Sequence, residues 1–171
     1  MVSQKSETSK RLRQAMKTIL LQVGKTVGKH FIAGINDYTE RITHYMPFEI
    51  VTIPELRNTK HLSEGQQKQM EGELILKQLQ PSDTVVLLDE HGSEFRSIQL
   101  AKWLEQKQQT ARRLIFVIGG PYGFSDEVYA RANEKISLSK LTFSHQMVRM
   151  VFTEQIYRAC TIIKGEPYHH E

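Results

Sequence analysis

The chain predicts an α/β domain with a mostly parallel sheet and flanking helices. Two observations carry that reading. Short apolar runs alternate along the chain with longer stretches whose apolar residues recur at helical spacing. Three of the apolar runs also empty into polar or glycine-bearing segments, Asp89–Gly92, Gly119–Gly123 and Leu138–Phe143. In an open parallel sheet such loops lie beyond the carboxyl ends of the strands, where ligands bind.

Met1 to Ala15 is rich in Ser, Gln and Lys and has no apolar period, so it is expected to be a disordered leader, with residues 16–171 as the single domain. Met16, directly before the first apolar run, is a candidate functional start. A basic nucleic-acid-binding arm is the rival reading of the leader. Thr18–Val23 is a buried strand, and Val27–His44 a helix with Phe31, Ile35, Tyr38 and Ile42 on one face. Phe48–Ile53 is the second strand, stopped by Pro54, and Glu55–Leu62 a loop. Ser63 with Gln66 spells a capping box that opens a helix to about Leu79.

Pro81-Ser82-Asp83 turns the chain into the strand Thr84–Leu88, with Asp89-Glu90-His91-Gly92 as the following loop and Ser97–Gln109 as a helix. Arg113–Ile118 is the most apolar strand and Gly119–Gly123 its turn. Ser125 caps a short helix with Asp126 and Glu127 in its first turn, where carboxylates favour the helix dipole. Lys135–Leu138 is a short strand, and Ser144 caps a closing helix with Val148, Val151, Phe152, Ile156, Ala159 and Ile163 on its apolar face.

Composition is that of an ordinary globular chain, and no apolar run approaches the roughly 18 residues of a membrane span. One cysteine excludes an internal disulfide framework and a multi-cysteine metal site. Cys160 is read as a buried, inert thiol, in keeping with a reducing, cytoplasmic setting. The net charge of +4 misleads as a nucleic-acid signal. Lys5, Lys10, Arg11 and Arg13 against Glu7 give the leader +3, so the rest of the chain carries only +1. An RNA-binding surface then has to come from local clustering or from two subunits pooling Lys25, Lys29, Arg41, Arg112 and Arg113.

Several motifs fail on spacing. Gly24-Lys25-Thr26 resembles the end of a phosphate-binding loop, but the glycine needed five positions earlier is Ile19. Gly119-Gly120-Pro121-Tyr122-Gly123 does not match the dinucleotide fingerprint; its place after the most apolar strand makes it a ligand-site candidate. His145 and the ending His169-His170-Glu171 have no metal-binding spacing, so no metal is expected. Trp103, beside Leu100 and Leu104, reads as core. Glu154 and Arg158, four apart, read as an ordinary helix ion pair. Arg149 is either solvated or meets a phosphate or the oxygens of a base.

Four stretches together carry a resemblance. They are Ile118-Gly119-Gly120-Pro121-Tyr122-Gly123, Leu138–Phe143 running into Ser144-His145-Gln146-Met147-Val148-Arg149, Glu154-Gln155-Ile156-Tyr157-Arg158-Ala159, and Gly165-Glu166-Pro167-Tyr168-His169. From Met16 to its end the chain resembles the ribosomal RNA large subunit methyltransferase H family, SPOUT-superfamily methyltransferases acting on N3 of a pseudouridine in 23S ribosomal RNA. The resemblance implies a C-terminal trefoil knot, S-adenosylmethionine as cofactor, and a homodimer in which each site borrows from its neighbour. It also implies a substrate within the assembled ribosome. By the same resemblance Leu88, Gly119, Gly120, Leu138, Ser139, Lys140, Leu141, Thr142 and Phe143 line the cofactor pocket, while Tyr168, His169 and Arg149 face the RNA. The chain departs from the family in its leader and in the ending His169-His170-Glu171.

Methyl transfer to a ring nitrogen asks the protein mainly for alignment and exclusion of water. His169 is the expected proton acceptor, Arg149 the stabiliser of charge on the base, and Tyr168 a stacking or hydrogen-bonding partner. The alternative reading is a non-catalytic RNA- or nucleotide-binding module acting in ribosome assembly.

Overall fold

The structure is a computed structural model that describes residues 15–171. The leader expected over 1–15 lies, but for Ala15, outside the described residues. Five strands form one sheet: β1 (Lys17–Val23), β2 (Phe48–Ile53), β3 (Thr84–Glu94), β4 (Arg113–Ile118) and β5 (Glu134–Ser137). Their order is β2-β1-β4-β3-β5, and every neighbouring pair is parallel. The helices among the described residues are α1 (Lys29–Thr43), α2 (Glu64–Lys77), α3 (Ser97–Thr110), α4 (Asp126–Arg131) and α5 (His145–Ile163), with a 3₁₀ turn at Thr59–His61 inside the predicted loop.

The central strands β1 and β4 are buried along almost their whole length because both faces of the sheet are covered. In β4, Leu114, Phe116 and Ile118 join Leu20, Val86, Trp103, Phe152 and Ile156 in the core beneath α1, α3 and α5. Ile115 and Val117 point the other way and join Ile19, Leu21, Val85, Leu87, Ile75 and Val128 beneath α2 and α4. Alternation with period two therefore serves two cores at once. Trp103 is buried between Phe95 and Phe116, and Cys160 is buried, its thiol pushed up to about 12 by desolvation.

The predicted caps form as the sequence spells them. Ser63 and Gln66 close a reciprocal capping box on α2, Ser125 accepts from Val128 N on α4, and Ser144 accepts from Met147 N on α5. One boundary differs by more than two residues. Asp89–Gly92 is not a free loop after a short strand: β3 continues to Glu94. Its register with β5 jumps from Leu88↔Ile136 to Ser93↔Ile136, so the four intervening residues leave the ladder as a bulge. Turn-forming residues there signal the excursion but not that the strand resumes. Gly92 lets it resume, since a Cβ at that position would lie 2.6 Å from the backbone nitrogen of Ile136.

Candidate active site

The carboxyl ends of β3, β4 and β5 surround a cleft of about 670 Å³, at the edge where an open parallel sheet binds ligands. Leu88, Gly119, Gly120, Leu138, Ser139, Leu141, Thr142 and Phe143 all line it, together with His145 and Val148 from the first turn of α5. Lys140 is exposed and, unlike its neighbours in the loop, does not line the cleft.

The turn after β4 gives the cleft its floor. Gly123, at φ 81°, donates to the Gly120 carbonyl at 3.2 Å and closes the turn. A side chain at Gly119 would press on the Phe124 ring at 3.0 Å, and one at Gly120 would collide with the Glu71 carboxylate. The backbone is therefore bare where it faces the cleft. On the opposite wall, Ser137 donates its hydroxyl hydrogen to the Ser139 carbonyl, and Ser139 Oγ accepts from Leu141 N at 2.9 Å. This fixes the bend that carries Leu141, exposed to 76%, over the opening.

The β3 bulge forms a third wall. The Asp89 carboxylate accepts from the Tyr129 hydroxyl, from His91 N at 2.8 Å, and lies 3.2 Å from His91 Nδ1. Burial pushes the Asp89 carboxyl up, but these hydrogen bonds outweigh it and leave it below the usual carboxylate range. The same contact, after desolvation, pushes the Tyr129 phenol up to about 12. Tyr129 is a site residue that sequence reasoning missed. It lies on α4, forty residues from its partner, and no local pattern announces the pairing.

Arg149 is neither solvated nor at the surface. It is 2% exposed, with Nη2 donating to the Val23 carbonyl at 2.8 Å and Nη1 to Thr26 Oγ1 at 3.0 Å. Its guanidinium ties the start of α5 to the end of β1, so a direct RNA-facing role does not fit its place in the chain. Burial lowers its pKa and the Glu55 carboxylate raises it, with a net downward shift.

A second polar cluster sits farther along α5. Arg158 Nη2 pairs with Glu154 Oε1 at 2.5 Å, and Tyr168 donates to the same oxygen at 3.0 Å. The Arg158 guanidinium lies over the Tyr168 ring, 4.7 Å from its centroid, and its Nη1 stands 3.2 Å from His169 Nδ1. Tyr157 meets Tyr168 edge-on at 4.7 Å. Burial, then the bonds to Glu154 and Tyr38, push the Tyr168 phenol up and keep it protonated. The helix pair expected to be ordinary is thus the clamp that orders the tail. Glu154 and Arg158 are functional candidates that the i, i+4 spacing alone could not single out.

Cleft and tail cluster do not meet within one chain. Val148 lines the cleft, while Arg158 lies ten residues on, roughly 15 Å along the helix axis. Of the basic residues expected to pool for RNA, two have acidic partners of their own: Arg41 with Asp37 at 3.2 Å and Arg113 with buried Asp83 at 3.3 Å. Among the described residues no cluster of three metal-ligating side chains occurs, and no helix is long and apolar enough to cross a membrane.

A family model described as predicted SPOUT methyltransferase matches residues 16–169, nearly the whole described domain. The chain belongs to the SPOUT methyltransferase family. Within it, the chain is a member of the ribosomal RNA large subunit methyltransferase H family. A protein of that name from Phocaeicola vulgatus is 62% identical over 157 residues, covering 91% of this chain and all of the relative. Another, from Bacteroides fragilis, is 61% identical over the same shares. Among solved structures, a probable methyltransferase from Bordetella pertussis Tohama I matches with a TM-score of 0.51 at 11% identity, covering 90% of this chain and 99% of that one. That likeness bears on the fold alone. For this SPOUT methyltransferase, the cleft at the ends of β3, β4 and β5 is the candidate active site.

Proposed function

We propose that this chain transfers a methyl group from S-adenosylmethionine to N3 of a pseudouridine in 23S ribosomal RNA, within the assembled ribosome. It would do so as a cytoplasmic homodimer of residues 16–171, with the β5–α5 segment tied in the knot that the family resemblance implies. The names of its relatives support the ribosomal RNA of the large subunit as substrate. The observation that carries the reading is the split between a cleft suited to a cofactor and a tail cluster suited to a nucleobase, about 15 Å apart on one helix. A second copy placing its tail over the first copy's cleft completes one site.

The cleft fits the cofactor on the chain's own features. Gly119 and Gly120 leave the backbone bare, and Leu88, Leu138 and Phe143 offer apolar wall for an adenine. When bound, the cofactor supplies an activated methyl on a sulfonium. The protein orients it and excludes water.

At the base, the charge-stabilising role expected of Arg149 passes to Arg158, which is held beside Tyr168 and His169. A guanidinium only donates, so His169 Nδ1 accepts from it and the ring proton sits on Nε2. In this geometry His169 presents a donor to a base oxygen. For the N3 proton to pass to His169 instead, Arg158 would have to turn away and the ring to present Nδ1 to the base. The pseudouridine has to be unstacked to reach this cluster. The test is transfer of labelled methyl to ribosomes that lack the modification; the non-catalytic alternative predicts cofactor binding without label.

A further inference from the structure

Glu71, on α2, is only 4% exposed, and none of the chemistry above uses it. Its Oε1 accepts from Gln67 Nε2 at 3.1 Å. Among the described residues no lysine, arginine or histidine lies within ion-pair distance of it. Its carboxylate is pressed against the back of the turn that floors the cleft: a Cβ on Gly120 would lie 1.9 Å from Oε2 and 2.7 Å from Cδ. Glycine stands at 120 because a carboxylate occupies the place of its side chain. Two titratable neighbours act on Glu71 from other elements, Glu55 from the segment after β2 and His145 from the start of α5. Burial is the larger influence and raises its pKa.

A desolvated carboxylate with no cation within ion-pair distance is costly to keep, and this one sits directly behind the backbone that faces the ligand. A bound cation would offset that cost. On the reading of the cleft as a cofactor site, the ligand itself carries one. When the methyl leaves, the S–CH3 bond breaks with its electron pair remaining on sulfur. The N3–CH3 bond forms from the nitrogen pair freed by loss of the N3 proton to a base. Sulfur thereby passes from a positive sulfonium to a neutral thioether.

We propose that Glu71 is a positioning residue that reads this change, favouring the sulfonium donor over the neutral thioether product from behind the Gly119–Gly120 turn. The contact is electrostatic and passes through a bare glycine, so it needs no hydrogen bond to the ligand. It holds the charged donor and releases the spent product.

The test compares equilibrium binding of S-adenosylmethionine and S-adenosylhomocysteine to wild type and to Glu71→Gln, which keeps shape and the Gln67 contact. The expected result is a loss of about tenfold in affinity for the sulfonium, with affinity for the thioether within about twofold. Equal loss for both ligands, or no loss, overturns the proposal and leaves the cofactor reading standing. Failure of wild type to bind either ligand overturns both. Should the Gln variant not fold, Glu71→Asp draws the charge back by one methylene and is expected to lower the same ratio a few-fold; an unchanged ratio overturns the proposal.

Discussion

Arg158 and His169 meet at 3.2 Å between Nη1 and Nδ1, a contact across which the guanidinium can only donate. Because the guanidinium has no lone pair to offer, His169 is an Nε2–H tautomer while it holds the tail in place. Glutamine can imitate that arrangement, with its oxygen toward Arg158 and its amide hydrogens outward. His169→Ala is expected to slow single-turnover methyl transfer by about 100-fold or more, and His169→Gln to recover at least about tenfold of the loss. Cofactor affinity, measured by titration, should be unchanged in both. Equal rates for the two variants would instead make the imidazole the obligatory proton acceptor.

Gly120 and Glu71 compete for one volume. Gly120→Ala drives a methyl group into a buried carboxylate and should cost about 1–3 kcal/mol in a denaturant titration. Adding Glu71→Ala vacates that volume. The double variant is expected to cost less than the two single changes together, the mark of direct contact.

Arg149 acts on the scaffold. Arg149→Met leaves the Val23 carbonyl without its donor and should lower stability by about 1–3 kcal/mol in the same measurement. Below its lowered melting temperature, turnover per folded molecule should stay within a few-fold of wild type. A large drop in turnover at full stability would restore a direct role.

The Tyr129–Asp89 bond makes the third wall of the cleft sensitive to pH at both ends. The Asp89 carboxyl is depressed by folding, so its contribution is present above the unfolded value and lost as pH falls through the folded one. The Tyr129 phenol is raised to about 12, so its contribution is present below the unfolded value and lost as pH rises toward 12. Tyr129→Phe should therefore be less stable than wild type at pH 7. The difference should begin to narrow below about pH 4, and again above about pH 10 on the way to about pH 12. Urea midpoints of the two proteins across this range would show it.

How far the sequence could be read depended on the distance over which each feature is decided. Ser63, Ser125 and Ser144 mark helix starts because a cap is completed within three residues, and the unbroken apolar run of β4 declares a strand buried on two sides. Gly119, Gly120 and the Leu138–Phe143 loop could be placed at the cleft because they follow strands directly. Arg149 could not, since its burial is decided by Val23, on β1 at the other end of the chain. The same holds for Tyr129 with Asp89 and for the resumption of β3 after its bulge, which needs the backbone of Ile136 close to Gly92. The ion pair of Glu154 and Arg158 was legible, but its purpose was not, because the tail that it holds returns from beyond the end of α5.

The most direct measurement is methyl transfer from labelled S-adenosylmethionine to intact ribosomes lacking the modification, with free large-subunit RNA alongside. Label in the ribosome sample alone, at N3 of a pseudouridine, is the predicted result. Absence of label from both, in protein shown to bind the cofactor, would contradict the account and favour a non-catalytic binding module.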